Sequence, residues 1–311
     1  MINFRYHVVS LTAVFLALAI GLVVGTAALN GPVADSLNDR VAGLSKQNEQ
    51  LRQTVGSLQE EVNREEDYAR ETAPLLLSGK LTGKRLLVVS LPSGRDHVEG
   101  VTDMLRMTGA TVTGRLDIQD KFVIPDNNVS LLELANKTAR PSIPASALPG
   151  NSEGVETSSA LLAAALLDRA GQPAVPEADR RAVLTAYINA GYVTVADRIT
   201  ASAEGVVIVS GQPHIDRDSA RKDQSVVTMA VQFDKLGAAV VAGSGTGAGN
   251  LVTAVRDDPA LSKTMSTVDN ASTAQGQVVT ALATVEQLTG QKAGQYGLGA
   301  GAASIAPKQP Q

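Results

Sequence analysis

A long heptad repeat runs through residues 34–72, with apolar side chains at two of every seven positions. Leucine occupies position d in four consecutive heptads, followed by Glu65 and Thr72, and valine or alanine occupies position a, with Asn48 as the polar exception. The flanking e and g positions carry polar residues such as Arg40 and Arg52, so the apolar stripe is narrow. Valine at a with leucine at d favours two parallel strands, and a buried asparagine fixes their register. The sequence therefore predicts a parallel dimeric coiled coil over residues 33–73.

The predicted coiled-coil interface consists of the apolar a and d positions and the central asparagine. These residues are Leu37, Val41, Leu44, Asn48, Leu51, Val55, Leu58 and Val62. The alternative is a single amphipathic helix packed on a globular domain, which usually has a wider apolar stripe that includes e or g positions. The polar e and g positions favour the coiled coil.

Residues 8–29 form a second apolar stretch without a charged side chain, and about 20 such residues suffice to cross a bilayer. We predict an uncleaved transmembrane helix. The alternative is a signal peptide cleaved near Gly25 and Ala27, but the apolar run is longer than signal peptides usually have. Because Arg5 precedes the span, the positive-inside tendency places residues 1–7 in the cytoplasm and the rest of the chain outside.

Gly21 and Gly25 lie on a face of this predicted helix that has a small residue at every fourth position. Such a face lets two membrane helices approach closely. The sequence predicts that both glycines belong to the same dimer interface as the coiled coil. Gly31 and Pro32 mark the joint between the two helices, and Pro74 is expected to end the second one.

Continuous apolar runs and helical periodicities alternate from residue 80 to residue 290. Apolar runs flanked by turn residues are typical of strands that are buried on both faces. Strands are predicted at residues 85–90, 111–118, 191–196, 205–210 and 238–242. Helices are predicted at residues 97–108, 131–137, 158–170, 177–190, 225–236, 250–257 and 272–288. This order predicts an open α/β layered domain with a largely parallel sheet.

Two segments rich in small and turn-forming residues are expected to lack regular structure. Residues 139–156 are predicted to form a mobile loop or lid. Residues 291–311 are predicted to be a disordered tail. The predicted fold is thus α/β: one N-terminal transmembrane helix, a parallel dimeric coiled coil and an extracytoplasmic α/β domain over residues 80–290.

The composition argues against several classes of function. The net charge is −4 and aromatic residues make up 3% of the chain, so a nucleic-acid partner is not indicated. The chain has no cysteine, which excludes disulfides, thiolate metal sites and cysteine nucleophiles. The three histidines, His7, His97 and His214, are far apart, and no catalytic set stands out. We therefore predict no enzyme activity and no bound cofactor.

Two features suggest ligands, and each has a plainer alternative. Residues 243–249 are glycine-rich and lie between a predicted strand and helix, where backbone amides can cradle phosphate. No nucleotide-binding motif is complete there, so a flexible turn is favoured. Met104 and Met107, with His97 before them on one predicted helix, could ligate Cu(I). The alternative is that the two methionines fill the hydrophobic core.

The chain resembles one actinobacterial family of envelope proteins in its opening INFRYHVVSLTAVFLALAIGLVVG, the coil after it, the segment LLVVSLPSG and the ending GQKAGQYGLGAGAASIAP. Mycobacterial members are called copper transport outer membrane proteins, MctB, and corynebacterial relatives are called SteB. The first name implies an outer-membrane channel that lowers the copper load, with copper as the transported ion. The second implies an envelope protein that works with the membrane protein SteA in cell separation and control of peptidoglycan hydrolysis.

These two implications require different folds. An outer-membrane channel is usually a closed barrel of alternating segments, whereas this sequence has one helical span and an α/β pattern. The sequence therefore favours a membrane-anchored dimeric scaffold or regulator in cell-wall remodelling, with an SteA-like membrane protein or a peptidoglycan hydrolase as partner. Copper transport across the envelope is the alternative, and the family name suggests the outer membrane as the location.

Overall fold

A computed structural model of the chain describes residues 4–30, 32–144, 148–196 and 198–308. The chain divides into two units, Met1–Arg64 and Glu65–Gln311. The first unit contains helix α1 (Phe4–Asn30) and most of helix α2 (Pro32–Leu77). The second contains the end of α2 and an α/β domain. Gly31, expected at the joint between α1 and α2, lies outside the described residues.

The second unit alternates strands and helices. Its strands are β1 (Arg85–Ser90), β2 (Thr111–Ile118), β3 (Val193–Val195), β4 (Gly205–Val209), β5 (Ala238–Ala242), β6 (Ser266–Val268) and β7 (Gln295–Tyr296). Its helices after α2 are α3 (Val98–Met107), α4 (Asp120–Val123), α5 (Asn128–Thr138), α6 (Gly154–Leu166), α7 (Glu177–Asn189), α8 (Ser219–Asp234), α9 (Leu251–Asp257), α10 (Leu261–Thr264) and α11 (Ala274–Gly290).

The seven described strands form one sheet in the order β3-β2-β1-β4-β5-β6-β7. All neighbouring pairs are parallel except β2 with β3, which is antiparallel. The α/β prediction with a largely parallel sheet is therefore confirmed, as a mixed sheet with one antiparallel edge. From β1 the chain continues to β2 and β3 on one side of the sheet and then to β4 and later strands on the other side. The direction in which strands are added therefore reverses between β1 and β4, which is the topological switch point of the sheet.

Alternate residues of the strands face two separate hydrophobic cores. On β1, Leu87 and Val89 face a core shared with helices α5 to α9. Leu86 and Val88 face a second core shared with α3, α11 and the end of α2. Helices therefore cover both faces of the sheet, which is why its strands are continuous apolar runs.

Helix α1 is long and apolar enough to cross a membrane over Phe4–Ala27. This confirms the apolar N-terminal helix predicted at residues 8–29 and suggests membrane anchoring. Its orientation in a membrane stays a prediction.

The last turns of α2 belong to the folded domain. Ala73 and Leu77 are fully buried in the core that includes α3 and α11. Pro74 was expected to end the helix, but it lies inside α2, and Ser78 N donates to Pro74 O at 3.1 Å. Proline removes a helical hydrogen bond, yet burying a leucine side chain contributes about 1.5–3 kcal/mol. The prediction for Pro74 was wrong: the helix continues past the proline, and Ala73 and Leu77 on either side of it are packed in the core of the domain.

Glu66 connects α2 to the N-terminus of α11. Its Oε2 accepts a hydrogen bond from Ala274 N at 2.8 Å, and the Thr273 hydroxyl accepts one from Gly276 N at 3.1 Å. The first amides of a helix have no partner within the helix. A side chain of α2 therefore caps α11 together with the local Thr273 cap.

The Glu66 contact gives a first testable prediction. Glu66→Ala should lower the free energy of unfolding of the domain by about 1 kcal/mol, because it removes an acceptor from a helix N-terminus. Hydrogen exchange of the amides at residues 274–277 should rise. Glu71→Ala, an exposed change on the same helix, is the matched control and should leave both quantities nearly unchanged. Equal effects of the two variants would contradict the capping role.

The C-terminal segment predicted to be disordered from residue 291 is instead attached to the sheet in its described part. β7 pairs parallel with β6, and Tyr296 is buried. Arg256 Nη2 donates to Tyr296 O at 2.6 Å, and Arg256 Nη1 donates to Ala300 O at 2.8 Å. Local composition missed this order because Arg256 lies far away in the sequence. Residues 309–311 lie outside the described part.

Some helix boundaries also differ from the predictions. α6 begins at Gly154, where it lies against α5: a Cβ at Gly154 would be 1.9 Å from Asn128 O. The loop predicted over residues 139–156 therefore ends at residue 153, and its residues 145–147 lie outside the described part of the chain. The sequence analysis also missed β6 and the short helices α4 and α10, which are too short to show a periodicity.

Candidate functional site

The apolar a and d residues of α2 form an exposed stripe, which we call the seam. The seam consists of Leu37, Val41, Leu44, Leu51, Val55, Leu58 and Val62. Each of these side chains is between 49% and 66% exposed in the single chain. Soluble proteins rarely expose a contiguous apolar surface of this kind unless it is an interaction site. The seam is therefore the leading candidate for a functional surface.

The seam ends where the folded domain begins. The next d position after Leu58 is Glu65, and the second unit starts at that residue. Glu66, at the following e position, is hydrogen-bonded to α11. The heptad pattern predicted a coiled coil over all of residues 33–73. The residues from Glu65 onward instead belong to the second unit, where Glu66 bonds to α11 and Ala73 packs in the core.

The crevice between the loops after β1 and β4 is where open α/β sheets usually bind ligands. Here the two loops contact each other directly. Gly211 N donates to Ser93 Oγ at 3.0 Å, and Leu91 N donates to Val209 O at 2.9 Å. A Cβ at Gly94 would lie 2.4 Å from Val209 O, and one at Gly211 would lie 1.9 Å from Ser93 O. Backbone contacts therefore fill the crevice between these two loops.

This close approach makes Gly211 sensitive to substitution. Gly211→Ala should lower the free energy of unfolding by about 1–3 kcal/mol, because the new methyl group overlaps the backbone of Ser93. Gly247→Ala is the control, since a Cβ there meets no atom within 4 Å. Thermal unfolding of both variants measures the difference. If Gly211→Ala is as stable as the control, the two loops are not in contact.

The glycine-rich segment 243–249 is the turn between β5 and α9. Two of its amides bond to the protein: Gly243 N donates to Val268 O at 2.8 Å and Gly245 N to Asp269 O at 2.6 Å. Asn250 then caps α9 by accepting from Val252 N at 2.9 Å. These contacts support the turn that the sequence analysis favoured.

One histidine has a carboxylate partner that the sequence did not reveal. His214 Nδ1 lies 2.8 Å from Asp223 Oδ1, across the turn between β4 and α8. The buried Ser210 hydroxyl is close in sequence, but it has no hydrogen-bond partner among the described residues. The His214–Asp223 pair thus does not extend to Ser210 as a serine nucleophile would require.

The three residues considered as copper ligands are spread along α3. Met104 is 6% exposed and belongs to the core that α3 shares with α11, and Met107 packs against the same core. His97 lies at the N-terminal cap of α3, and the helical rise places it about 15 Å from Met107 along the axis. These positions favour the core-filling alternative for the methionines. No cluster of three metal-binding His, Asp or Glu occurs within the described ranges.

Comparison with known proteins gives full-length matches. The profile of the family described as "Copper transport outer membrane protein, MctB" matches residues 1–307. The chain is 30% identical over 321 residues to the copper transporter MctB of Mycobacterium leprae. It is 27% identical over 317 residues to the copper transporters MctB of Mycobacterium tuberculosis and Mycobacterium bovis. Each match covers 99% of this chain and 100% of the relative.

Proposed function

This chain belongs to the MctB family, and we propose that it is a membrane-anchored envelope protein that dimerises through α2 and holds other envelope proteins. The observation that carries this proposal is the seam, whose side chains are about half to two-thirds exposed in the single chain. Two copies in parallel register would bury each seam against its twin. Gly21 and Gly25 would bring the membrane helices together in the same dimer.

The partner in this proposal follows from the resemblance to the corynebacterial relatives SteB. An SteA-like membrane protein or a peptidoglycan hydrolase would be held close to the membrane, outside the cytoplasm, during cell separation. Arg5, which precedes the uncharged residues 8–29, supports this orientation. The physical contribution of the chain would be attachment and spacing, and none of its residues would need to carry out chemistry.

Copper transport is the second candidate, and the names of the family and of the mycobacterial relatives favour it. In this alternative, copper would be a transported ion and His97, Met104 and Met107 would be the soft ligands in reach of it. Met104 packs among apolar side chains in the core that α3 shares with α11, and this counts against that role.

Complementation of cells that lack this gene separates the two candidates. One variant combines His97→Gln, Met104→Leu and Met107→Leu, which removes the soft ligands at similar volume. The other, Leu51→Asp, places a charge in the seam. If the chain is a scaffold, the first variant restores normal division and the second does not. Purified protein that gives reproducible copper conductance in planar bilayers would overturn the scaffold proposal.

Asn48 provides a finer test of the proposed dimer. Asn48→Val should make the dimer more stable but loosen its choice of register and strand number, because a buried asparagine trades stability for specificity. Sedimentation equilibrium should show tighter association and species larger than dimers. A variant that associates as tightly as the parent chain, with the same oligomeric state, would place Asn48 outside the interface.

A further inference from the structure

An open cavity, which we call the helix cavity, lies between the first turns of α5 and α6 and the N-terminal half of α8. Its volume is about 860 Å³, and sites for small ligands usually measure about 300–1,000 Å³. Because α8 connects the parallel strands β4 and β5, its N-terminal half lies toward their carboxyl ends, the side where open α/β sheets bind ligands. The polar side chains in the wall include Asn128, Glu153, Glu156, Arg221, Gln224 and Thr228.

The wall formed by α8 presents hydrogen-bond donors. Arg221, Gln224 and Thr228 are spaced at i, i+3 and i+7, so they lie on one face of the helix. Ser225 Oγ donates to the backbone oxygen of Arg221 at 3.0 Å, a contact that leaves the guanidinium free. Within the described part of the chain, this guanidinium forms no ion pair, and it is exposed to solvent. It is therefore available to bind both oxygens of a carboxylate.

The wall formed by α6 carries two carboxylates that neutral amides hold in place. Glu153 is the N-terminal cap residue of α6, and Glu156 lies in its first turn. Asn128 Nδ2 donates to Glu153 Oε2 at 2.9 Å. Gln232, which is only 4% exposed, donates to Glu156 Oε1 at 3.1 Å and accepts from Lys235 Nζ at 3.2 Å. Among the described residues, the second oxygen of each carboxylate has no partner and can accept from a ligand.

The two walls of the helix cavity therefore carry opposite charge. Arg221 forms no ion pair with Glu153 or Glu156 in the described structure, so the charges stay apart across the cavity. Residues 145–147, outside the described part of the chain, are Ala, Ser and Ala and add no charge. A ligand that contacts both walls needs a positive group at one end and a negative group at the other. A short peptide with free ends has this chemistry.

We propose that the helix cavity binds a short peptide through its free ammonium and carboxylate ends. The ammonium would contact Glu153 and Glu156, and the carboxylate would form a bidentate pair with Arg221. Gln224 and Thr228 would donate to the peptide carbonyl oxygens between the two ends. This binding site would be additional to the proposed scaffold role and would not require a dimer.

The test is isothermal titration calorimetry with the full chain in detergent micelles. The probes are alanine peptides of two, three and four residues with free ends. We expect saturable binding of at least one length, with one site per chain. Copies of that peptide with an acetylated N-terminus or an amidated C-terminus should each bind about tenfold more weakly, because each loses a hydrogen-bonded charge.

Two variants assign the ends of the peptide to the two walls. Arg221→Gln should weaken binding of the free peptide about tenfold but leave binding of the amidated copy unchanged. Glu153→Gln with Glu156→Gln should weaken binding of the free peptide and leave binding of the acetylated copy unchanged. Arg217→Gln, an exposed change outside the cavity wall, is the matched control and should change binding less than about twofold. Thermal unfolding of each variant should stay close to that of the parent chain.

The absence of saturable binding at every peptide length, equal binding of the free and blocked peptides, or equal effects of Arg221→Gln and Arg217→Gln would each overturn the proposal. Leu51→Asp should bind the peptide normally. The helix cavity can therefore be tested independently of the dimer.

Discussion

Replacing Arg256 by methionine is expected to lower the free energy of unfolding by about 3–5 kcal/mol, because it leaves a buried carboxylate without its counter-ion. Arg256 Nη1 lies 2.8 Å from Asp269 Oδ2, and their side chains are only 3% and 2% exposed. The same guanidinium also donates to Thr267 Oγ1 at 2.9 Å. Asp269 in turn accepts from Leu298 N at 2.8 Å and Gly299 N at 3.0 Å.

The loss of stability in Arg256→Met should first affect the C-terminal segment at residues 295–304. Hydrogen exchange and limited proteolysis at residues 295–304 should increase in Arg256→Met before the rest of the domain opens, because Arg256 holds this segment to β6. Arg106→Met is the control, since Arg106 pairs with Asp103 on an exposed helix surface, where ion pairs contribute about 0–1 kcal/mol. A C-terminal segment that stays protected in Arg256→Met would show that other contacts hold it.

Replacing Leu51 by aspartate is expected to convert the proposed dimer to a monomer. The change places a carboxylate from each copy in the middle of the seam, where removal of a leucine alone costs about 2–5 kcal/mol and a buried charge adds a further desolvation cost. The dissociation constant should rise at least roughly 100-fold, which corresponds to about 2.7 kcal/mol. Sedimentation velocity of the full chain in detergent measures this shift.

Gln53→Asp is the matched control for Leu51→Asp. Gln53 occupies position f of the same heptad, on the face opposite to the seam, and it is exposed. It adds the same charge without entering the proposed interface and should leave the dimer intact. If both variants sediment like the parent chain, the seam does not hold the copies together.

Most of the domain could be predicted because its strands, such as β1 and β4, are continuous apolar runs between turn residues. The missed strands, β6 and β7, have three and two residues, too few for a pattern. The order of the C-terminal segment depends on Arg256 and Asp269, which local composition does not connect with it. Pro74 misled the prediction because a local rule for helix ends takes no account of the packing of Leu77.

The candidate functional features also divide into those that a local sequence pattern predicts and those that depend on how distant elements meet in the fold. The seam could be predicted because a heptad repeat is a local pattern along one helix. The pair of His214 and Asp223 could not, because it depends on how the turn after β4 meets α8.

The absence of cysteine from the chain allows the most direct test of the parallel dimer. Leu37→Cys and Leu58→Cys each place one thiol at a d position, near opposite ends of the seam. In a parallel dimer in register, each variant should form a disulfide with its own copy in membranes under mild oxidation. Gln53→Cys, on the opposite face, should not. Cross-links that form only when the Leu37→Cys and Leu58→Cys chains are mixed would indicate antiparallel helices, and either this result or no cross-link at all would contradict the account.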